Sequence, residues 1–319
     1  MTTIFAVPNN RRALAILMAS ILLGPAPLRA GDVFSTIRAS CVDGTCLENC
    51  VEPAYSSTSC RRNCPGTLMQ WSCSNSFSGG PDLTAPLVTD RPDFTEAAST
   101  IGRGVAQLEI GYTYAYDNDC TVTKSNSYPE PLLRYGIFAE WLELRVGWNY
   151  ADEEVGLVKN SGSEDLYLGF KLGLTPQEGV LPEMSLIPQM NVPTGSSAFT
   201  SDHVEPGVNW IYAWEINDCI STAGSTQGNR RIDDSGEAYF EIAQSWTVAY
   251  SLSDELGAYT EWFVLIPNGA DTARTEHYFN GGFTYLLSKD VQFDIRAGTG
   301  LNGAADDYFV GTGLSIRFK

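Results

Sequence analysis

Two histidines, His203 and His277, are the only imidazoles in the 319-residue chain. General-base catalysis requires such a group within reach of a positioned nucleophile. The nearest hydroxyls, Ser201 and Thr275, stand in polar stretches that read as loops, and no G-x-S-x-G, H-E-x-x-H or glycine-rich phosphate loop occurs. The sequence therefore points away from an enzyme, and no cofactor is expected. Clustered carboxylates at Asp152-Glu153-Glu154, Asp233-Asp234 and Asp306-Asp307 lack the D-x-D-x-D-G spacing of a calcium loop and read as solvated loop charge.

Cysteine offers a second chemistry. Cys41, Cys46, Cys50, Cys60, Cys64 and Cys73 are six of the chain's eight cysteines and fall within 33 residues. An even number packed into a short exported segment reads as a disulfide framework. The doubled C-x3-C spacing leaves a metal site as the rival. Structural zinc usually takes shorter spacing, often with a nearby His, and this segment has no His.

The third group is ionic. Glu109, Glu130, Arg134, Glu143, Arg145, Asp165, Lys171, Glu241, Glu261, Asp294, Arg296 and Arg317 recur on the polar face of segments whose other face is apolar. Ionised groups turned inward survive only if wet or paired. Such a set makes either a polar conduit whose charges select solutes or a salt-bridge network that fills the lumen.

The elements that must position these residues are strands. In Tyr308–Phe318 the alternation puts Tyr308, Val310, Leu314, Ile316 and Phe318 on one face and Gly311, Gly313, Ser315 and Arg317 on the other. Val291–Thr299, Trp141–Tyr150 and Gln107–Ala115 repeat the pattern, and period two means a pleated strand. Twelve strands are expected, at 104–115, 129–138, 141–150, 164–173, 183–191, 207–215, 219–227, 237–251, 257–266, 277–287, 291–299 and 308–318. The short connections fall at Phe138-Ala139-Glu140, Ser253-Asp254-Glu255 and Ser288-Lys289-Asp290. Residues 116–128, 151–163, 192–206, 228–236, 267–276 and 300–307 read as longer polar loops. An even strand number, strands near ten residues and short turns opposite long loops describe an all-β, transmembrane antiparallel barrel. A soluble β-sandwich also alternates. Tyr and Trp at strand ends, among them Tyr112, Trp148, Trp210, Trp214 and Tyr308, favour the membrane, where aromatic girdles mark the interfaces.

The N-terminus agrees with export. Arg11-Arg12 precede eleven apolar residues, Ala13–Leu23, and a cleavage site is expected after Ala30. That run is about half the length a transmembrane anchor needs. Residues 31–73 form the Cys-rich segment, 74–103 read as a linker opened by Ser74–Pro81, and 104–318 form the barrel. The formal charge of −18 argues against nucleic acid, whose phosphates demand a basic face. Cys120, in an outer loop, and Cys219, at an inner turn, fall on opposite sides of the apolar band and should not pair.

Thr89-Asp90-Arg91-Pro92-Asp93-Phe94-Thr95-Glu96, Asn191-Val192-Pro193-Thr194-Gly195, Gly224-Ser225-Thr226-Gln227-Gly228-Asn229 and Ala304-Ala305-Asp306-Asp307-Tyr308-Phe309-Val310-Gly311 together resemble the outer-membrane transporter family of the meta-pathway of phenol degradation. The resemblance implies an outer-membrane barrel tied to passage of small hydrophobic or aromatic compounds. Lys319 departs from it, since barrels of this kind commonly end on an aromatic. The partners expected are outer-membrane lipid, the barrel-assembly machinery and a small-molecule solute. Two functional readings stand: a channel for small molecules, or a plugged barrel whose Cys-rich segment is the working part.

Overall fold

The computed structural model describes residues 67–68, 81–118 and 121–319. The expected signal peptide, its cleavage site and the six clustered cysteines lie outside them, as does Cys120. No helix among the described residues is long and apolar enough to cross a membrane. The crossing elements are strands: β1 (Ala106–Asp117), β2 (Thr123–Tyr128), β3 (Leu132–Gly136), β4 (Leu142–Gly147), β5 (Tyr150–Val155), β6 (Val158–Ser163), β7 (Leu166–Thr175), β8 (Glu183–Val192), β9 (Glu205–Asn217), β10 (Ile220–Ile232), β11 (Ala238–Ser251), β12 (Leu256–Asn268), β13 (Glu276–Ser288), β14 (Val291–Gly300) and β15 (Tyr308–Phe318).

They close into one antiparallel barrel. β1 pairs with β15 from Ala106↔Phe318 to Tyr116↔Tyr308, so the sheet has no free edge there. Twelve strands cross, because three of them are each built from two pieces. β2 continues β3, β5 continues β4, and β6 leads into β7, while β8 to β15 run unbroken. The first break has a clear origin. Pro129 and Pro131 carry no N–H for the ladder, and the amide of Gly111 on β1 bridges the gap by donating to the Pro129 carbonyl at 2.6 Å. At the same level Asn149 Nδ2 donates to Ser127 Oγ at 2.6 Å and to Glu164 Oε2 at 3.0 Å, tying the other two breaks together.

The expected loops at 116–128 and 151–163 are therefore corrected. They contain β2 and the hairpin β5–β6, which extends the barrel wall to a tip at Leu157, a fully exposed residue. Thr123–Tyr128 and Val158–Ser163 are polar on both faces, because both faces meet water above the membrane. Without an apolar face there is no period-two signal to read.

Burial decides between barrel and sandwich. Arg134, Glu143 and Lys171 are 0% exposed, whereas Phe283 is 49% and Phe170 44% exposed. A sandwich buries its apolar face. Here the order is inverted, as it must be when hydrocarbon is the outer solvent. Aromatic side chains group on that outer face, with Trp210, Tyr212, Trp214 and Trp246 in ring contact at 5.1–6.1 Å.

The two mouths differ. Turns 138–141, 252–255 and 289–290 lie at one end, together with Lys319 and the start of β1, and residues 193–204, 269–275 and 301–307 at the other. Cys219 sits exposed in the β9–β10 turn at the short-turn end, unpaired among the described residues. At the long-loop end Asp165 Oδ1 accepts from the Gly195 amide and Oδ2 from the Ser201 amide, both at 3.0 Å, and this folds loop 193–204 inward. Asp233 accepts from the Ser235 hydroxyl and amide within the β10–β11 turn, and the hydroxyl bond holds its carboxyl at about 2.

Candidate functional site: a lumen closed by its own N-terminal segment

The chain before β1 does not lie outside the barrel. It enters at the short-turn mouth, where the Leu87 amide donates to the Lys289 carbonyl at 2.8 Å and Arg317 donates to the Ala85 carbonyl at 2.7 Å. It climbs through Asp90 and Arg91 to an apex at Phe94–Glu96. It then descends to Ile101, whose amide donates to Glu143 at 3.1 Å, and turns into β1. The span 74–103, read as a linker, is in its described part a plug. Turn-forming Ser, Gly and Pro at 74–81 suggested a connector, but the charges that follow find partners only in the folded lumen.

Asp90 is the hub. Its carboxylate accepts from Lys171 Nζ at 2.7 Å, lies 3.2 Å from Arg134 Nε, and pairs with Arg145. Arg134 also binds Glu143 at 2.7 Å and Glu109 at 3.0 Å, and Arg145 binds Glu143 at 3.1 Å and pairs with Glu96. Glu109 accepts the amides of Asp90 and Arg91 at 3.2 and 3.1 Å. Backbone carbonyls of the plug are held as well: Val88 accepts from Gln107 at 2.9 Å and Ala97 from Lys171 at 2.8 Å. Arg134, Arg145 and Lys171 thus each reach the plug directly. In so dry a place a single missing partner would leave an uncompensated charge.

Arg91 is seated differently. It binds Glu130 at 2.8 Å and Asp294 at 3.3 Å. Its guanidinium lies flat against β1 and β15 where Gly111 and Gly313 leave room. A Cβ at Gly111 would fall 2.4 Å from Cζ, and one at Gly313 would fall 2.2 Å from Nε. Glu130 holds a left-handed φ of 47° between its two prolines, a strained position that aims its carboxylate at Arg91. Asp294 thus pairs with the plug's Arg91. Arg296 donates to the Pro92 carbonyl and to Thr113 Oγ1, both at 2.8 Å, with its guanidinium 5.8 Å from the Phe309 ring.

Toward β8–β13 the plug is held by fewer groups. Glu261 accepts the amides of Phe94 and Thr95 and the Thr95 hydroxyl, each at 2.7 Å, and pairs with Asn280. Thr95 Oγ1 is 2.6 Å from Ser245 Oγ. Phe94 stacks on Phe263 with centroids 4.3 Å apart, beside Tyr278 and Phe309. Ala98 packs with Ile187 and Ile211. A cavity of about 380 Å³ lies against the apex, bordered by Asp93, Phe94, Gln189, Gln227, Phe263, Asn280 and Phe309 among others.

Of the twelve ionic residues expected in the lumen, Glu109, Glu130, Arg134, Glu143, Arg145, Lys171, Glu261, Asp294 and Arg296 meet around the plug. Glu241 faces inward nearer the long-loop mouth, 3.2 Å from Arg231. Arg317 holds the plug's entry and Asp290, at 2.7 Å, at the short-turn rim. Asp165 organises a loop instead of lining the lumen. Sequence reasoning missed the plug's own Asp90, Arg91, Thr95 and Glu96, although their octapeptide carried the resemblance. Four charges in eight residues outside any strand are the signal that could have found them. The His203 ring meets the Ser201 carbonyl at 2.8 Å and not its hydroxyl, and His277 stacks against Trp262.

Residues 89–318 match the family described as "Putative MetA-pathway of phenol degradation". The chain belongs to that family. The match starts at Thr89 and so takes in most of the plug segment of this chain. No curated protein matches the chain in sequence. Among solved structures it is similar to the KdgM porin in complex with disordered oligogalacturonate (10% identity, 66% of this chain and 99% of that one, TM-score 0.43). It is also similar to the transport unit of the autotransporter AIDA-I from Escherichia coli (10%, 71% and 93%, 0.46) and to the CymD monoaromatic hydrocarbon channel (9%, 68% and 88%, 0.38). The barrel assignment stands on the strand pairing and on the family, with the apolar outer surface of an outer-membrane protein.

Proposed function

We propose that the protein is a gated outer-membrane channel for small, hydrophobic or aromatic solutes, and that residues 87–103 are its closed gate. The observation that carries this reading is that the lumen is occupied by a segment that belongs to no strand of the wall. Wall side chains pair with one another, as Arg134 does with Glu143, and also reach into the plug at Asp90 and Glu96. Twelve strands stand between the eight that side chains fill and the sixteen that leave an aqueous channel, so displacing the plug would open a passage. Phe94, Phe263 and Phe309 beside the carboxamides of Gln189, Gln227 and Asn280 suit a ring carrying a hydrogen-bonding group. The family's tie to phenol degradation is in keeping with that. The proposed partners are outer-membrane lipid around the barrel, the assembly machinery that inserts it, and the solute.

Planar bilayers test the reading. The full chain should show little conductance in potassium chloride, and Asp90→Ala combined with Arg91→Ala should show discrete openings. A barrel sealed in both forms would overturn the channel and favour the reading in which the Cys-rich segment is the working part.

A further inference from the structure

Resting on that reading, we infer that solute crosses between the plug and the wall of β8–β11, past one constriction where Thr95 and Ala98 meet Ser245, Ser225, Ile187 and Ile211, while the plug stays clamped to β1–β7. The hold on the two sides is unequal. On the clamped side the plug is bound through Arg134, Arg145 and Lys171 and by carbonyl contacts along its length. On β8–β11 the short stretch Asp93–Ala98 touches the wall. The contacts there are the Asp93–Thr247 side-chain hydrogen bond, the Thr95–Ser245 hydroxyl pair at 2.6 Å, backed by Ser225 at 2.8 Å, the Glu96–Asn209 bond at 2.9 Å, and Ala98 against two isoleucines.

A second observation points to a ligand. Ser185 Oγ and Asn209 Oδ1 are buried without hydrogen-bond partners, on residues 0% and 1% exposed. Ser185 stands directly opposite Ile211, and Asn209 directly opposite Ile187, in the β8–β9 register. Two polar atoms, each beside one isoleucine of an apolar step, form a handhold for a hydroxyl or amide passing it. The β8–β11 wall is neutral at this level, while the carboxylates of Glu96 and Glu261 stand at Asn209 and Thr95, so the solute class is small, without negative charge and hydrogen-bonding.

The test uses the full-length barrel in liposomes, with arabinose swelling as the probe and heat-modifiable gel mobility to confirm folding. Thr95→Ala with Ser245→Ala should raise the swelling rate several-fold, and Ser225→Leu should lower it. In both, the amides of Asp90 and Arg91 should keep wild-type protection in hydrogen exchange. The route is overturned if swelling rises only in variants that lose that protection, such as Asp90→Ala. If Asp90→Ala itself stays sealed, the channel reading fails and the route with it.

Discussion

The two halves of the lumen wall hold the same segment by different physics. β1, β3, β4, β7 and β14 present Glu109, Arg134, Glu143, Arg145, Lys171 and Asp294, each buried and each bound to a plug residue. At the level of the plug β8 to β11 present Ser185, Ile187, Asn209, Ile211, Ser225 and Ser245, small or neutral, and the Glu205–Arg231–Glu241 charges of these strands lie nearer the long-loop mouth. Ion pairs in a dry site are stiff and intolerant of a missing partner, because every uncompensated charge costs several kcal/mol. Hydroxyl pairs and aliphatic contacts are each worth about 1 kcal/mol and can part singly. The contrast describes a hinge side and a parting side, and it can be broken experimentally.

Asp90→Ala should have the largest effect. It strands Arg134, Arg145 and Lys171 without their shared anion, a loss of about 3–5 kcal/mol for a buried network. Hydrogen exchange should show residues 88–96 losing protection while the amides of β9–β13 keep theirs. Equal loss in both regions would mean that the plug and the barrel unfold as one unit, and the distinction between the halves would fall.

Gly313→Val acts on the same half by shape and leaves the charges intact. Its side chain would occupy the floor on which Arg91 lies, at the 2.2 Å approach noted above. Overpacking of this kind costs about 1–3 kcal/mol. Thermal unfolding should fall by less than in Asp90→Ala, and the Arg91–Glu130 and Arg91–Asp294 pairs should be lost from a crystal structure of the variant. An undisturbed Arg91 would show that the glycines are incidental.

How far these halves were legible in the sequence differs as well. The wall was readable because each membrane strand alternates, so Glu109, Arg134 and Lys171 announce a polar face once Leu108, Leu133 and Phe170 announce an apolar one. The plug was not, because Thr89–Glu96 has no period and its charges are satisfied by residues up to 203 positions away, as with Arg91 and Asp294. The hairpin β5–β6 was lost for the converse reason, since strands wet on both faces show no hydropathy pattern. The asymmetry between β1–β7 and β8–β11 was visible in composition, and became meaningful only once a segment lay between them.

Thr95→Val probes the parting side. It removes the hydroxyl bonds to Ser245 and Glu261 and keeps the side chain's volume, while the amides of Phe94 and Thr95 still reach Glu261. With about 1 kcal/mol for each bond, the loss should be about 1–2 kcal/mol in denaturant unfolding, with exchange protection at Asp90 unchanged. A loss as large as that of Asp90→Ala would place the neutral half on the same footing as the charged one.

The smallest effect is expected at the rim, where ion pairing and burial can be separated. Asp290 faces two cations, Arg317 at 2.7 Å and Lys319 at 2.8 Å, much as Asp90 faces its three, but it stands at the water-exposed turn. Hydrogen bonds from Lys319 and then Arg317 hold its carboxyl below the usual carboxylate range. A lowered folded value means that its stabilisation is present at neutral pH and disappears as the pH falls through that value. Solvent and side-chain entropy leave such a pair little to contribute. Asp290→Asn should therefore shift thermal unfolding barely at neutral pH, and wild type and variant should coincide once the pH has fallen below that lowered value. A destabilisation approaching that of Asp90→Ala would show that the number of charge partners matters more than their burial, and would remove the reason for setting the charged half of the lumen apart.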